Sequence, residues 1–149
     1  MTKKQVRDSL KKWAGVEETC KRAQDEIEGF EAYIEELRGI KGRVMDGMPK
    51  GTQTGSPTER AALAITEVME EWGQAIKKIS ARIEKELAFK QAVDEALAEL
   101  TEEEQKVITL RYKGRCSWVA IGLKIYGSEG TARRREGTAI KKLSRFAQF

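Results

Sequence analysis

The 149-residue sequence contains no histidine, two prolines and two cysteines. The missing histidine removes the commonest general base and the commonest metal ligand together. No Gly-rich phosphate loop and no nucleophile elbow stands in their place. A protein that is not an enzyme, with no metal and no cofactor, is expected. Cys20 and Cys116 lack both CxxC spacing and histidine partners, and a reducing compartment keeps them as thiols. Pro49 and Pro57 lie close together, which leaves two long stretches free of helix breakers. No apolar run reaches the roughly 18 residues of a membrane span. The opening "MTKKQVRDSLKKW" lacks the apolar core of a signal peptide. These absences together point to the cytoplasm and away from membranes.

Charge, by contrast, is plentiful. Charged residues make up 35% of the chain and hydrophobic ones 40%, a balance that favours a helix-rich protein over a sandwich or barrel. The net charge of +4 conceals an asymmetry. Residues 1–100 hold 17 Lys and Arg against 19 Asp and Glu, whereas residues 101–149 hold 11 against 5. A basic segment on a balanced chain is the electrostatic footprint of a nucleic-acid module.

Apolar positions recur at Trp13, Val16, Cys20, Ala23, Ile27, Phe30, Ile34 and Leu37, in alternating steps of three and four. Val6 and Val44 extend the same register. That spacing is a heptad seam on an amphipathic helix of roughly ten turns. Glycines and both prolines crowd Gly39 to Thr58, which predicts a loop at about 42–57, beginning with fraying near Gly42. Helix restarts with Ser56 or Thr58 as N-cap, Pro57 near the first turn and Glu59 at the positive end of the dipole. A second seam runs Ala62, Ile65, Met69, Trp72, Ile76, Ile79 and Ile83. It continues through Leu87, Val93, Leu97 and Leu100 with a register slip expected near Glu86. Two matched helices and one loop predict an antiparallel coiled-coil hairpin over residues 1–100. A lone hairpin has little core, so it invites homodimerisation into a four-helix bundle or docking on a partner helix. Trp13, Trp72, Phe30 and the methionines read as core packing on the seams.

In the last fifty residues Thr101 and Glu104 form a capping box, with Val107, Ile108 and Leu110 as an apolar face and Gly114 as terminator. Ser117 caps a short helix carrying Trp118, Ile121 and Ile125. "YGS" is a turn, with Gly127 expected to supply unusual dihedrals and Ser128 to cap the last helix. That helix carries Ala132, Ala139, Ile140 and Leu143. Two short helices joined by a tight turn have helix-turn-helix organisation, whose second helix enters the major groove of DNA. The whole chain is thus expected to be all-α, a long helical hairpin followed by a helix-turn-helix domain over 101–149.

Arg133, Arg134 and Arg135 are consecutive in that last helix. With Ala132, Ala139 and Leu143 facing a core, Arg134 lies about 200° from Ala132 and points away from it. Arg133 flanks the exposed face, and Arg135 falls at the core edge, where its stem can pack. Lys141, Lys142 and Arg145 continue the positive charge.

The segment "LTEEEQKVITLRYKGRCSWVAIGLKIYGSEGTARRREGTAIKKL" resembles region four of bacterial sigma factors, with its acidic helix start, "I.LRY" stretch and "A-aliphatic-KL" tail. With the hairpin and "SPTERAALAI", the chain is similar to phage-encoded late-gene transcriptional regulators of the RinA/ArpU type. The resemblance implies base reading at Glu129, Gly130 and Arg134, and phosphate contacts at Ser117, Thr131, Arg133 and Thr138. Tyr126 stands where the turn glycine is usual. Glu129 and Gly130 depart from the usual Arg-Glu pair, which implies a target other than the standard promoter hexamer. Arg135 occupies a normally aliphatic slot. No counterpart of the promoter-melting sigma segments is present, so the resemblance implies an accessory activator in a bacterial host cell.

Three functions follow as expectations. The first is a sequence-specific regulator on double-stranded DNA, in which Arg134 with Arg133 contacts bases, preferably guanine, and Ser117, Lys124, Thr131 and Lys141 hold phosphates. Ser128, Glu129, Gly130 and Thr138 complete the candidate set, and the hairpin dimerises or docks on host RNA polymerase. The second is a packaging protein of the small-terminase kind, which a large ring in solution would mark. The third is a coiled-coil adaptor binding RNA polymerase, marked by tight protein binding without salt-dependent DNA affinity.

Overall fold

A computed structural model describes residues 1–46 and 57–149, with side chains described through residue 43 of the first segment. The chain is all-helical, five helices among the described residues, and the two long N-terminal helices pack together. Helix α1 spans Lys3–Asp46 and α2 spans Pro57–Ala98. A capping box opens α1: the Thr2 hydroxyl accepts from the Gln5 amide at 3.2 Å, and the Gln5 side chain accepts from the Thr2 amide at 2.8 Å.

Several boundaries differ from those expected. Helix α1 does not fray at Gly42 but continues through Gly39 and Gly42 to Asp46. Each interior glycine costs about 1 kcal/mol, and a helix already propagating over ten turns absorbs that. Pro57 is the first residue of α2, so Thr58 lies inside the first turn and is not its cap. The alternative cap, Ser56, and most of the segment expected as a loop at about 42–57 lie outside the described residues.

Nor does the α2 seam slip. Its inward positions continue as Ile79, Ile83, Glu86, Lys90, Val93 and Leu97, still in steps of three and four. Leu87 is 48% exposed and stands off the seam. Two charged residues occupy seam positions because ion partners satisfy them there. Glu86 pairs with Lys12 at 3.2 Å, and Lys90 reaches Asp94 at 2.8 Å and Glu17 at 3.9 Å.

The chain divides into two compact units, Met1–Thr19 with Lys85–Phe149, and Cys20–Glu84. The packing boundary therefore falls within the hairpin, whereas the sequence divides most visibly at the helix break near residue 100. In the second unit the antiparallel helices bury Ala23, Ile27 and Ile79, flanked by Phe30, Ile76 and Ile83. Trp72 lies against Phe30 and Tyr33, with ring centroids 6.4 and 5.5 Å apart.

The first unit is thicker. Val6, Leu10 and Trp13 of α1 meet Val93 and Leu97 of α2 and Leu100 just beyond it, and this layer continues into Ile108, Ala139, Ile140 and Leu143. Helix α3 (Glu102–Ile108) opens with the expected capping box at Thr101 and Glu104. A π-helical turn, Thr109–Lys113, prolongs it to Gly114, whose amide donates to the Thr109 carbonyl. Helices α4 (Trp118–Lys124) and α5 (Glu129–Phe146) follow, capped by the Ser117 and Ser128 hydroxyls.

Candidate functional site

The basic C-terminal residues are organised by the corner between α4 and α5. Val107, Ile121 and Ala132, one from each of α3, α4 and α5, form a small completely buried cluster. Gly122 lets the two helices approach. A Cβ there would come within 2.7 Å of the Ser128 carbonyl carbon and 2.9 Å of the Glu129 nitrogen. Any side chain at Gly122 would push the start of α5 away. The chain reverses through Tyr126, whose φ is 55°, and the Gly127 amide donates to the Gly122 carbonyl at 2.9 Å. The left-handed residue of the turn is therefore Tyr126, not Gly127 as glycine preference suggested. Its ring is 98% exposed.

Helix α5 has two faces. Ala132, Ala139, Ile140 and Leu143 are completely buried. Arg133, Arg134, Thr138, Lys141 and Arg145 are exposed on the other side. Arg135 lies between and pairs with Glu103 at 3.3 Å. Arg134 makes no ion pair among the described residues, with its Nε donating only weakly to the Gly130 carbonyl at 3.4 Å. Arg133 binds Glu129 at 2.8 Å and lies 5.4 Å from the Trp118 ring. Thr138 donates back to the Arg134 carbonyl, the usual resting bond of a helical threonine.

The exposed face of α5 thus gathers Glu129, Gly130, Arg133, Arg134, Thr138 and Lys141. Ser128 and Thr131 sit at its start, where the Ser128 hydroxyl accepts from the Thr131 amide and lies 3.1 Å from the Thr131 hydroxyl. Both are occupied in capping. Ser117 likewise caps α4, accepting from the Ala120 amide at 3.1 Å. Lys124 is at the far end of α4, but its side chain folds back to within 3.6 Å of the Cys116 sulfur, next to Ser117.

Three features of this unit escaped sequence reasoning. The first is Glu136, a buried carboxylate on the inner stripe of α5. Arg7 of α1 grips it through two bonds of 3.1 Å, and the Tyr112 hydroxyl donates to it at 3.0 Å. Burial, reinforced by the Glu136 charge, pushes the Tyr112 hydroxyl up from its ordinary value, and the hydrogen bond to Glu136 raises Arg7. The legible signal was position: Glu136 lies four residues from both Ala132 and Ile140, and a charge on a core stripe requires a partner. The second is Glu104, which accepts from Lys142 at 2.7 Å as well as from Thr101. Burial works to raise its pKa, but the Lys142 and Thr101 hydrogen bonds outweigh it and hold the carboxyl below the usual range. The third is Trp118, whose ring lies under both Arg111, at 4.3 Å, and Arg133.

Among the described residues no group of three or more His, Cys, Asp or Glu could hold a metal ion, and no helix is long and apolar enough to cross a membrane. Both cysteines are free thiols. A family model described as "Protein of unknown function (DUF722)" matches residues 53–145, from just before α2 to the last turn of α5, and the chain belongs to that family. No curated protein and no solved structure matches.

Proposed function

We propose that this DUF722 chain binds double-stranded DNA through the exposed face of α5 and acts as a sequence-specific transcription regulator, an activator of phage late genes working with host RNA polymerase. In this reading α4, the Tyr126 corner and α5 serve as a helix-turn-helix, with residues 101–149 as the DNA-binding part. The observation that carries it is the placement of Arg133 and Arg134. They stand near the N-terminal end of α5, opposite a completely buried alanine-lined stripe, and Arg134 makes no ion pair among the described residues. That is the position from which a recognition helix touches base edges.

The roles follow from the surroundings. Arg134 reads a base, with guanine the best match for its two-pronged donor set. Glu129 holds Arg133 until DNA competes for it and can itself accept from a cytosine amino group. Lys141, Lys124, Ser117, Thr131 and Thr138 contact phosphates, and the Ser128 cap fixes the start of α5. The hairpin supplies the homodimer or polymerase contact. The unit Cys20–Glu84 has a shallow two-helix seam and leaves Tyr33 and Leu63 exposed, as a surface awaiting another helix would.

An adaptor reading is favoured by one further observation. Val119, Leu123 and Tyr126 project from α4 and the corner as exposed apolar side chains beside the arginines, and such a strip suits a protein partner.

Binding to a random-sequence duplex, followed from about 50 to 200 mM salt, tests the DNA reading against the adaptor. Arg133→Ala with Arg134→Ala is expected to weaken binding at least tenfold and to reduce the salt slope by about two. Unchanged affinity overturns the proposal. Mass in solution separates a regulator, as monomer or dimer, from a ring-forming packaging protein.

A further inference from the structure

A second positively charged feature lies apart from the exposed face of α5. A cleft of about 390 Å³ is lined by Lys11, Ala14 and Gly15 of α1 and by Arg111, Tyr112 and Arg115 around the end of the π-helical turn. Three of the six residues that line it are cationic, and none of the described lining residues is an aspartate or glutamate. Three like charges at a concave surface repel one another, and such a site is relieved by an anion.

The cations are held in different ways. Arg111 is fixed: its guanidinium lies 4.3 Å from the Trp118 ring centroid and donates to the Cys116 carbonyl at 3.0 Å, an arrangement that leaves it without a carboxylate partner among the described residues. Lys11 and Arg115 form no ion pair among the described residues. The Arg115 backbone has φ 49°, a left-handed conformation that a long-chain residue adopts only at a cost. A Cβ added at Gly15 would meet nothing within 4 Å, so the α1 wall of the cleft is open. The Tyr112 hydroxyl is engaged with Glu136, and its ring forms part of the lining.

We infer that this cleft is an anion site that takes a phosphate group between Lys11, Arg111 and Arg115. The phosphate can belong to the backbone of a bound duplex or to a free phosphorylated ligand. The first source rests on the DNA reading above; the second does not. The duplex source has a geometric argument, because Arg111 and Arg133 stack on the same Trp118 ring. The Trp118 ring thus links a residue of the cleft to a residue on the exposed face of α5. On this view α1 contributes Lys11 to the binding surface, beyond the basic C-terminal segment.

The test uses full-length protein with Lys11→Gln and, separately, Arg115→Gly. Glycine accepts φ 49° without strain, so R115G is expected to melt no lower than the parent while losing one cation. Two probes are applied: a random-sequence duplex across salt, and inorganic pyrophosphate followed by amide and guanidinium NMR shifts. With the duplex as source, each variant lowers the salt slope by about one and weakens binding three- to tenfold, with Arg133 and Arg134 intact. With a free ligand as source, pyrophosphate moves the Arg111 and Arg115 signals of the parent, the variants abolish that response, and duplex affinity is unaffected. If variants of unchanged melting temperature match the parent with both probes, the inference is overturned. Should the parent not bind duplex at all, the α5 reading fails instead, and the pyrophosphate response alone decides the cleft.

Discussion

The hairpin carries one heptad pattern through two different environments. In Cys20–Glu84 the seam is covered by two helices only, and most of its large residues, Phe30, Ile34, Trp72 and Ile76 among them, are half-buried. In Met1–Thr19 with Lys85–Phe149 the same spacing is covered by a further layer of helices, and Val6, Leu10 and Val93 lose all exposure. Periodicity therefore tells which side of a helix is apolar but not how deeply it is buried. Depth depends on how many elements share the seam.

The largest expected effect separates these environments. Leu10→Ala leaves a cavity that three layers cannot easily close and is expected to cost about 3–5 kcal/mol. Ile27→Ala, in the two-helix unit, is expected to cost about 2 kcal/mol because water and neighbouring side chains can fill the space. Urea unfolding of both variants measures the contrast, and equal losses would break it.

How much of this was legible depends on which signal the sequence carried. The faces of α5 were legible because Ala132, Ala139, Ile140 and Leu143 repeat with the helical period, which also places Arg133 and Arg134 outward and Arg135 at the edge. The register at Glu86 and Lys90 was not legible, because only apolar residues were used to mark the seam, and charged residues can hold seam positions when paired. The left-handed residue of the corner was misplaced for a similar reason. Glycine preference pointed to Gly127, whereas the close approach at Gly122 fixes the path of the chain and leaves Tyr126 to turn. The basic cleft was hidden altogether, since Lys11 and Arg111 are a hundred residues apart and no local pattern joins them.

Glu136 offers the next contrast, between a charge inside the thick unit and charges on its surface. Glu136→Ala removes the acceptor for the half-buried Tyr112 hydroxyl and is expected to cost about 2 kcal/mol. The Arg7 share of this is small because that side chain is half-exposed and water can replace its partner. A loss no greater than that of Arg145→Ala, an exposed residue on the same helix, would show that the network is not structural.

A smaller effect concerns acid. The folded state holds the Glu104 carboxyl below its ordinary value of 4.5, so as pH falls the unfolded chain takes up this proton first. The stability Glu104 contributes is complete above pH 4.5 and is lost as pH drops through the lower folded value. Glu104→Gln is expected to lose about 1 kcal/mol near neutrality and to show a shallower decline in acid. An identical acid profile would contradict the assigned cause. Smallest is Tyr126→Gly, which relieves the left-handed backbone and is expected to add about 0.5–1 kcal/mol, read as a higher thermal midpoint.

The central claim is that the N-terminal half of α5 reads DNA with Arg134. Its most direct test is selection of bound duplexes from a random-sequence pool, carried out with the parent and with Arg134→Ala. The account predicts that the parent enriches a motif containing a guanine, and that the variant loses preference at that one base pair while the rest of the motif persists. A parent that enriches no motif, or a variant that enriches the same motif at full strength, would contradict it.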